Sequence, residues 1–234
     1  MTASAHGDHG GLTGALRQVG RIHGAHRYLV LFYTLLFTLV ATPLLTALRF
    51  DADLLQIFLA FNLLVALLDV PGQGWRLLLM LLAAISVGLR LAPASAVGVG
   101  VTTGALVVTS VLALLAAASA TRFAIRARVI STEQIYAALS VYLLAGLFFG
   151  LLHWEIELTW PGSYAESGAS TPASFPLSTA IYFSFVTLAT LGYGDVVPKT
   201  EVARGLAMLE AVGGQLYVAV TIARLVGAQL QARE

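Results

Sequence analysis

Long apolar stretches separated by short polar breaks make up most of this chain. Six run approximately Tyr28–Leu48, Leu54–Leu68, Trp75–Leu91, Ala94–Ala120, Gln134–His153 and Val202–Gly227. Most approach or exceed the roughly 20 residues an α-helix needs to cross a bilayer. The second is short and carries Gln56 and Asn62, so it either extends through Asp53 and Asp69 or lies tilted among its neighbours. A further stretch, Pro176–Ala189, has only 14 residues. That length suits a helix that enters the membrane and turns back, which is tolerated only where protein or a water-filled cavity surrounds the irregular backbone. The predicted fold is all-α and integral to the membrane: six transmembrane helices plus a re-entrant helix and the loop that follows it.

Composition supports this reading. Of 234 residues, 58% are hydrophobic and 11% charged, with a mean hydropathy of +0.85; a soluble domain carries about 25% charged residues. The absence of cysteine excludes disulfides and thiolate metal sites. A net charge of +1 gives no reason to expect a nucleic-acid partner. Residues 1–26 are polar, rich in Gly and His, and lack an apolar core followed by a cleavage site, so they read as a flexible cytoplasmic tail and not a signal peptide. His6, His9, His23 and His26 are metal-ligand types, but their spacing matches no standard site.

Charge placement orients the segments. With a cytoplasmic N-terminus, Arg17, Arg21, Arg27, Arg76, Arg122, Arg126, Arg128, Arg224 and Arg233 fall inside, and Arg49, Arg90, Lys199 and Arg204 outside. That bias obeys the positive-inside rule and puts both termini in the cytoplasm of a multi-pass cell-membrane protein. Glu155, Glu157, Glu166, Asp195 and Glu201 then ring the outer side, either as a mouth that concentrates cations or as a solvated acidic loop. Ser131-x-x-Gln134 matches a capping box. Gly146-x-x-x-Gly150 and Gly100-x-x-x-Gly104 permit close helix contact, though each is a weak motif that generic packing also explains. Residues 158–176, rich in Pro, Gly, Ser and Thr, read as an exposed turret loop.

After the short apolar stretch comes Thr190-Leu191-Gly192-Tyr193-Gly194-Asp195. This T-x-G-Y-G-D hexapeptide resembles the selectivity-filter signature of the potassium channels. The likeness spans about Gln134–Gly227, since Tyr182–Ala189 sits where the family has its pore helix and Pro198 and Arg204 lead into an inner helix. Within that family, carbonyl oxygens replace the hydration shell of K+. The resemblance implies that Thr190, Leu191, Gly192 and Tyr193 point carbonyls at the ion, with the Thr190 hydroxyl as innermost ligand and Gly192 and Gly194 supplying backbone conformations other residues reach at a cost. It implies that Tyr193 faces away from the axis and braces the filter against the re-entrant helix, whose C-terminal end favours a cation. One motif per chain supplies a quarter of the ring, so three further copies are expected, giving a four-fold homotetramer in lipid. No cofactor is expected beyond K+ itself.

The chain departs from the family pattern in three places. Leu191 replaces the commoner Val, and Phe183 stands where many relatives have Trp. Val186 occupies a position where some relatives carry a Glu that contacts the filter Asp, so Asp195 needs another partner, and the Tyr182 hydroxyl is a candidate. Other support is expected from Thr187 and from Glu210, an acid inside the last apolar run. Glu210 either bonds to Thr187 or Ser184 behind the filter, faces the cavity, or acts as a proton-sensitive switch. Gly213-Gly214 is either a hinge or a contact point. Gln215, Val218, Ile222 and Val226 share one helix face, as a pore lining that closes by dewetting at Ile222 or Val226, or as ordinary packing.

Four regions result: the tail 1–26, a four-helix membrane domain 27–120, a cytoplasmic linker 121–132 and a pore domain 133–234. The fourth apolar stretch holds no charge, and Arg122, Arg126 and Arg128 follow it, so no charged voltage-sensor helix is expected. No cytoplasmic ligand-binding module is expected either. His153 has no Ser or acidic partner placed in the sequence to make a nucleophilic pair, which argues against an enzyme. A passive potassium-selective channel is the leading expectation. A weakly selective cation channel and a non-conducting membrane sensor or scaffold are the alternatives.

Overall fold

The chain is described here by a computed structural model covering residues 27–41, 43–44, 48, 52–68, 72–92, 99–126, 131–166 and 175–231. The N-terminal tail with its histidines, Arg49, Arg128, Arg233 and the middle of the turret loop lie outside the described residues. Helices α1 (Arg27–Ala41), α2 (Ala52–Leu67), α3 (Gln73–Leu91) and α4 (Val99–Arg126) come first. They are followed by α5 (Thr132–Thr159), strand β1 (Tyr164–Glu166), α6 (Leu177–Leu188), strand β2 (Val196–Pro198) and α7 (Glu201–Gln231). Among the described residues, three stretches are long and apolar enough to cross a membrane: Gly104–Ala124, Thr132–Thr159 and Glu201–Arg224.

Helix limits differ from the apolar runs in instructive ways. The fourth helix continues past Ala120 to Arg126, so Arg122 and Arg126 lie on its last turns. Similarly, α5 runs beyond the apolar run, which stops at His153, to Thr159 and carries Glu155 and Glu157 on its last turns. Its start is set by the Ser131 backbone N–H, which donates to Gln134 Oε1 at 2.7 Å, as the capping box requires. The short helix α6 begins after Pro176, whose fixed φ of −72° suits a helix entrance. Its 12 residues span about 18 Å, well short of the roughly 30 Å hydrocarbon layer.

One buried apolar cluster runs from α1 through α6, with Leu31, Leu63, Leu112, Ala116, Leu144 and Ile181 among its members. Polar bonds cross it. Asn62 Nδ2 donates to Thr38 Oγ1 at 2.6 Å, joining α2 to α1, and Ser86 and Thr109 hydroxyls lie 2.8 Å apart between α3 and α4. The start of α1 is fixed where the Tyr28 ring stacks on Phe123 and its N–H donates to Glu133 Oε2 at 3.1 Å.

The two glycines of α5 are where α6 docks. A Cβ on Gly146 would stand 2.5 Å from the Phe185 ring, and one on Gly150 would stand 3.0 Å from the Ile181 backbone. The pair singled out in the sequence as a weak motif is therefore the seat of the short helix. Among the described residues, Gly100 and Gly104 have nothing within 4 Å of such a Cβ.

An all-α expectation missed one small element. β1 and β2 pair antiparallel, with Tyr164 opposite Pro198 and Glu166 opposite Val196. Beneath this ladder lies a second apolar cluster of Ile156, Tyr164, Phe183, Val196 and Ala203. The turn leading into β1 is pinned by Glu157, whose carboxylate accepts from the N–H groups of Gly162 and Tyr164 at 2.8 and 3.1 Å.

Gly146→Ala is expected to destabilise the fold by about 1–3 kcal/mol through overpacking against the Phe185 ring. Adding Phe185→Leu should recover most of that loss. Thermal unfolding of the detergent-solubilised single and double variants measures both effects, and independent, additive losses would contradict the contact.

Candidate functional site

Between the end of α6 and the start of β2 the chain turns back on itself in six residues. The φ angles of Thr190, Gly192 and Gly194 are +57°, +56° and +76°, whereas Leu191, Tyr193 and Asp195 have negative φ. Alternation of this kind turns successive carbonyls to one side and successive N–H groups to the other, unlike a strand, where they alternate. Thr190 is the one non-glycine residue among those described with positive φ. For a β-branched residue that conformation costs about 1–3 kcal/mol, so its surroundings must hold it.

The N–H side supplies that hold. Thr190 N–H donates to Thr187 O at 2.9 Å, Leu191 N–H to Val186 O at 2.9 Å, and Gly192 N–H to the same oxygen at 3.4 Å. These acceptors are last-turn carbonyls of α6 that have no partner within a helix. Thr187 thus supports the loop through its carbonyl. Among the described residues, none of the carbonyls of Thr190, Leu191, Gly192 or Tyr193 accepts a hydrogen bond. The Thr190 hydroxyl donates to Ala189 O at 2.7 Å, at the start of the carbonyl row.

At the far end of the loop, Tyr182 O–H donates to Asp195 Oδ2 at 2.7 Å, the partner expected in place of the missing Glu. Asp195 Oδ1 also accepts from the Val196 N–H at 3.0 Å. The Tyr182 hydrogen bond, with the backbone N–H behind it, holds the Asp195 carboxyl below the usual carboxylate range. By contrast, Tyr193 is 67% exposed and packs on no aromatic ring among the described residues, so bracing against its own α6 is not seen.

Behind α6 lies a polar cluster that sequence reasoning reached only in part. Glu210 Oε1 meets Ser184 Oγ at 2.5 Å, one of the two pairings expected for it. Its other oxygen lies 2.8 Å from His153 Nε2, and His153 Nδ1 lies 2.6 Å from the Tyr164 hydroxyl. His153, Ser184 and Glu210 are all fully buried. The expectation that His153 has no acidic partner is therefore corrected: the acid stands 57 residues away in sequence and is brought in by α7. Ser184 touches the carboxyl and not the imidazole, and Ser184 itself has no solvent exposure, so it is no nucleophilic triad. Burial pushes the Tyr164 phenol above its ordinary range, and that hydroxyl keeps its proton.

Inner-helix residues divide. At Gly214 a Cβ would lie 2.9 Å from Leu188 O, so this glycine is a close contact with the end of α6. Gly213 has nothing within 4 Å, and α7 runs through both without interruption. Tyr217 O–H donates to Ala138 O at 2.6 Å, tying α7 to α5 below that contact. Gln215, Ile222 and Val226 are exposed in the single chain and Val218 is half-buried.

Several of the acids grouped as a possible mouth already have structural partners. Besides Asp195 and Glu157, Glu201 pairs with Arg204 at 3.0 Å on the surface, and Glu155 is partly buried. Glu166 is the remaining exposed one. Among the described residues no group of three or more His, Cys, Asp or Glu is placed to hold a metal ion.

Comparison with known proteins locates the same half of the chain. Residues 137–229 match the family model described as ion channel. The chain is 31% identical over 94 residues to two pore potassium channel c of Oryza sativa subsp. japonica, covering 40% of this chain and 19% of that protein. It is 33% identical over 86 residues to voltage-gated potassium channel Kch of Escherichia coli (strain K12), covering 36% and 20%. Against A-type voltage-gated potassium channel KCND3 of Homo sapiens it is 34% identical over 59 residues, covering 25% and 9%. The chain thus spans a fifth or less of the length of these relatives. They are channels and not enzymes. No solved structure matches.

Replacing Tyr182 by Phe removes the bond that favours the Asp195 anion, so the Asp195 pKa is expected to rise toward its ordinary value. A depressed carboxylate pKa contributes stability above the unfolded pKa that is lost as pH falls through the folded one. The loop Thr190–Asp195 of the wild type should therefore tolerate more acid than that of Tyr182→Phe. Carboxyl-carbon NMR of Asp195 in both proteins reads this directly, and identical titrations would remove the assigned role.

Proposed function

We propose that this chain, which belongs to the potassium-channel superfamily through residues 137–229, is one of four identical subunits of a membrane channel that conducts K+ passively and selectively. The observation that carries this reading is the loop Thr190–Asp195. Its N–H groups are tied to the end of α6, and its row of carbonyls is left without partners. Such oxygens are neutral ligands: they replace water around a cation and still release it. A single chain offers one row, and an ion needs oxygens on all sides, so four copies close the ring around an axis.

Other features fit that assembly. In the isolated chain, Leu191 and Tyr193 are largely exposed, which suits side chains that pack on a neighbouring subunit. Helix α7 buries little of its surface, and its face Gln215, Val218, Ile222, Val226 would line the cavity beyond the filter with a mostly apolar wall. Helices α1 to α3 with α4 would complete six spans, with both termini cytoplasmic as the arginine bias favours. The relatives include voltage-gated potassium channels, but those likenesses cover 36% of this chain or less. The apolar stretch Ala94–Ala120 holds no charged residue, and Arg122 and Arg126 follow it at the end of α4, so steep voltage dependence is not part of this proposal.

Purified protein in proteoliposomes is expected to pass K+ with little Na+ and to be blocked by barium, and Gly192→Asp should abolish the flux. Equal K+ and Na+ passage would replace selectivity with a relaxed cation filter. A folded tetramer with no flux under any condition would favour a sensor or scaffold. The particle mass, corrected for detergent, is expected to be about four times the 24.7 kDa of one chain. A stable monomer or dimer would end the proposal.

A further inference from the structure

Four polar contacts run in series behind α6, and their proton count is informative. The Tyr164 hydroxyl meets His153 Nδ1 at 2.6 Å, His153 Nε2 meets Glu210 Oε2 at 2.8 Å, Glu210 Oε1 meets Ser184 Oγ at 2.5 Å, and Ser184 Oγ meets Gly146 O at 2.7 Å. Each contact needs one proton between its two atoms, since two bare acceptors at such distances repel. The Gly146 carbonyl can only accept, so the Ser184 hydroxyl must donate to it. Ser184 has no second proton, and the carboxyl must then donate to Ser184. Glu210 Oε2 accepts from Nε2–H, and Nδ1 accepts from Tyr164. The series is complete with a neutral imidazole and a protonated carboxyl.

Other protonation states leave a gap. A carboxylate beside a neutral imidazole has three protons for four contacts. An imidazolium with a carboxylate has four, but two of them, on Nδ1 and the Tyr164 hydroxyl, meet in a single contact. Burial points the same way: an ion pair out of water must offset two desolvation penalties, whereas the neutral arrangement has none of that magnitude.

We propose that Tyr164, His153, Glu210 and Ser184 form a proton-binding site in the wall of the pore region, with the dissociable proton on Glu210 Oε1. On release, the proton goes to water, one negative charge stays on Glu210, and the Glu210–Ser184–Gly146 segment is one proton short. That segment joins α7, α6 and α5, so deprotonation loosens the grip on the helix whose last carbonyls hold the filter loop. The other end of the series is Tyr164 of β1, paired to β2 directly after that loop. The site therefore grips the loop from both sides. Among the described residues, the groups facing it are few. Tyr142 and Glu157 come from α5, and Glu157 already accepts two backbone N–H groups. From α6, besides Ser184, the Phe183 ring packs edge-on to His153. On α7, the charges Glu201 and Arg204 pair with each other on the surface.

The proton site stands on the geometry alone; its effect on conduction rests on the K+-channel reading above. Infrared pH-difference spectra of the full chain in lipid are expected to show a protonated-carboxyl C=O band that is lost as pH rises. That band should be absent in Glu210→Gln and displaced in frequency, yet present, in Ser184→Ala. No such band, or one unmoved in Ser184→Ala, overturns the site. In proteoliposomes, wild-type K+ flux is expected to change several-fold over the pH interval in which the band disappears. Glu210→Gln, whose amide keeps both a donor and an acceptor in place, should hold the low-pH level throughout. A titrating band with pH-independent flux would overturn the link to conduction. The band with no flux at all would uphold the site and remove the channel reading instead.

Discussion

A backbone carbonyl without a partner at membrane depth costs several kcal/mol, by rough estimate, so a protein that exposes four in a row must fix everything around them. This constraint organises the second half of the chain. The amides of Thr190, Leu191 and Gly192 are absorbed by Val186 and Thr187 carbonyls, which the end of a helix leaves free in any case. One set of unsatisfied groups thereby answers another, and only the outward carbonyls remain. The positive φ at Thr190 is held by the same bonds.

Seating α6 is then the main structural task. Gly146 and Gly150 let it lie on α5, Gly214 lets α7 reach its last carbonyl, and the Tyr182–Asp195 bond closes the loop's far end. Where apolar packing would suffice elsewhere, a polar series runs behind this helix. A directional bond fixes register in a way that dispersion contacts do not, and each of the four side chains in the series comes from a different element: β1, α5, α7 and α6.

Much of this was legible in the sequence, and the limits follow from physics. Apolar period and length gave the long helices, Ser131 and Gln134 marked the start of α5, and the absence of a filter-side Glu at Val186 led to the Tyr182 partner for Asp195. All these are local or nearly so. His153 was passed over because its partners, Glu210 and Tyr164, sit on separate elements and no short-range spacing relates them. The β1–β2 ladder was hidden for a similar reason: three-residue strands carry too little alternation to register against a loop rich in turn-forming residues. Helix ends strayed into polar residues at Arg122 and Glu157, because hydrogen-bonded backbone continues beyond the point where hydrophobicity stops.

The exposed surfaces of the single chain are not all of one kind, and the difference matters. Apolar side chains along α7, such as Leu216 and Val220, are as well accommodated by lipid tails as by another helix, so their exposure alone asks for no partner. The loop is another matter. Its carbonyls meet no donor within the chain, and lipid provides none, so water, an ion or a ring of equivalent oxygens around an ion has to meet them. Facing water or cations on one side while the N–H side is sealed against α6 gives the loop a polarity that α7 lacks. In the proposed tetramer, the demand for closure around an axis would therefore come from six residues of backbone, and the long helices would be free to pack in whatever way lets those residues meet.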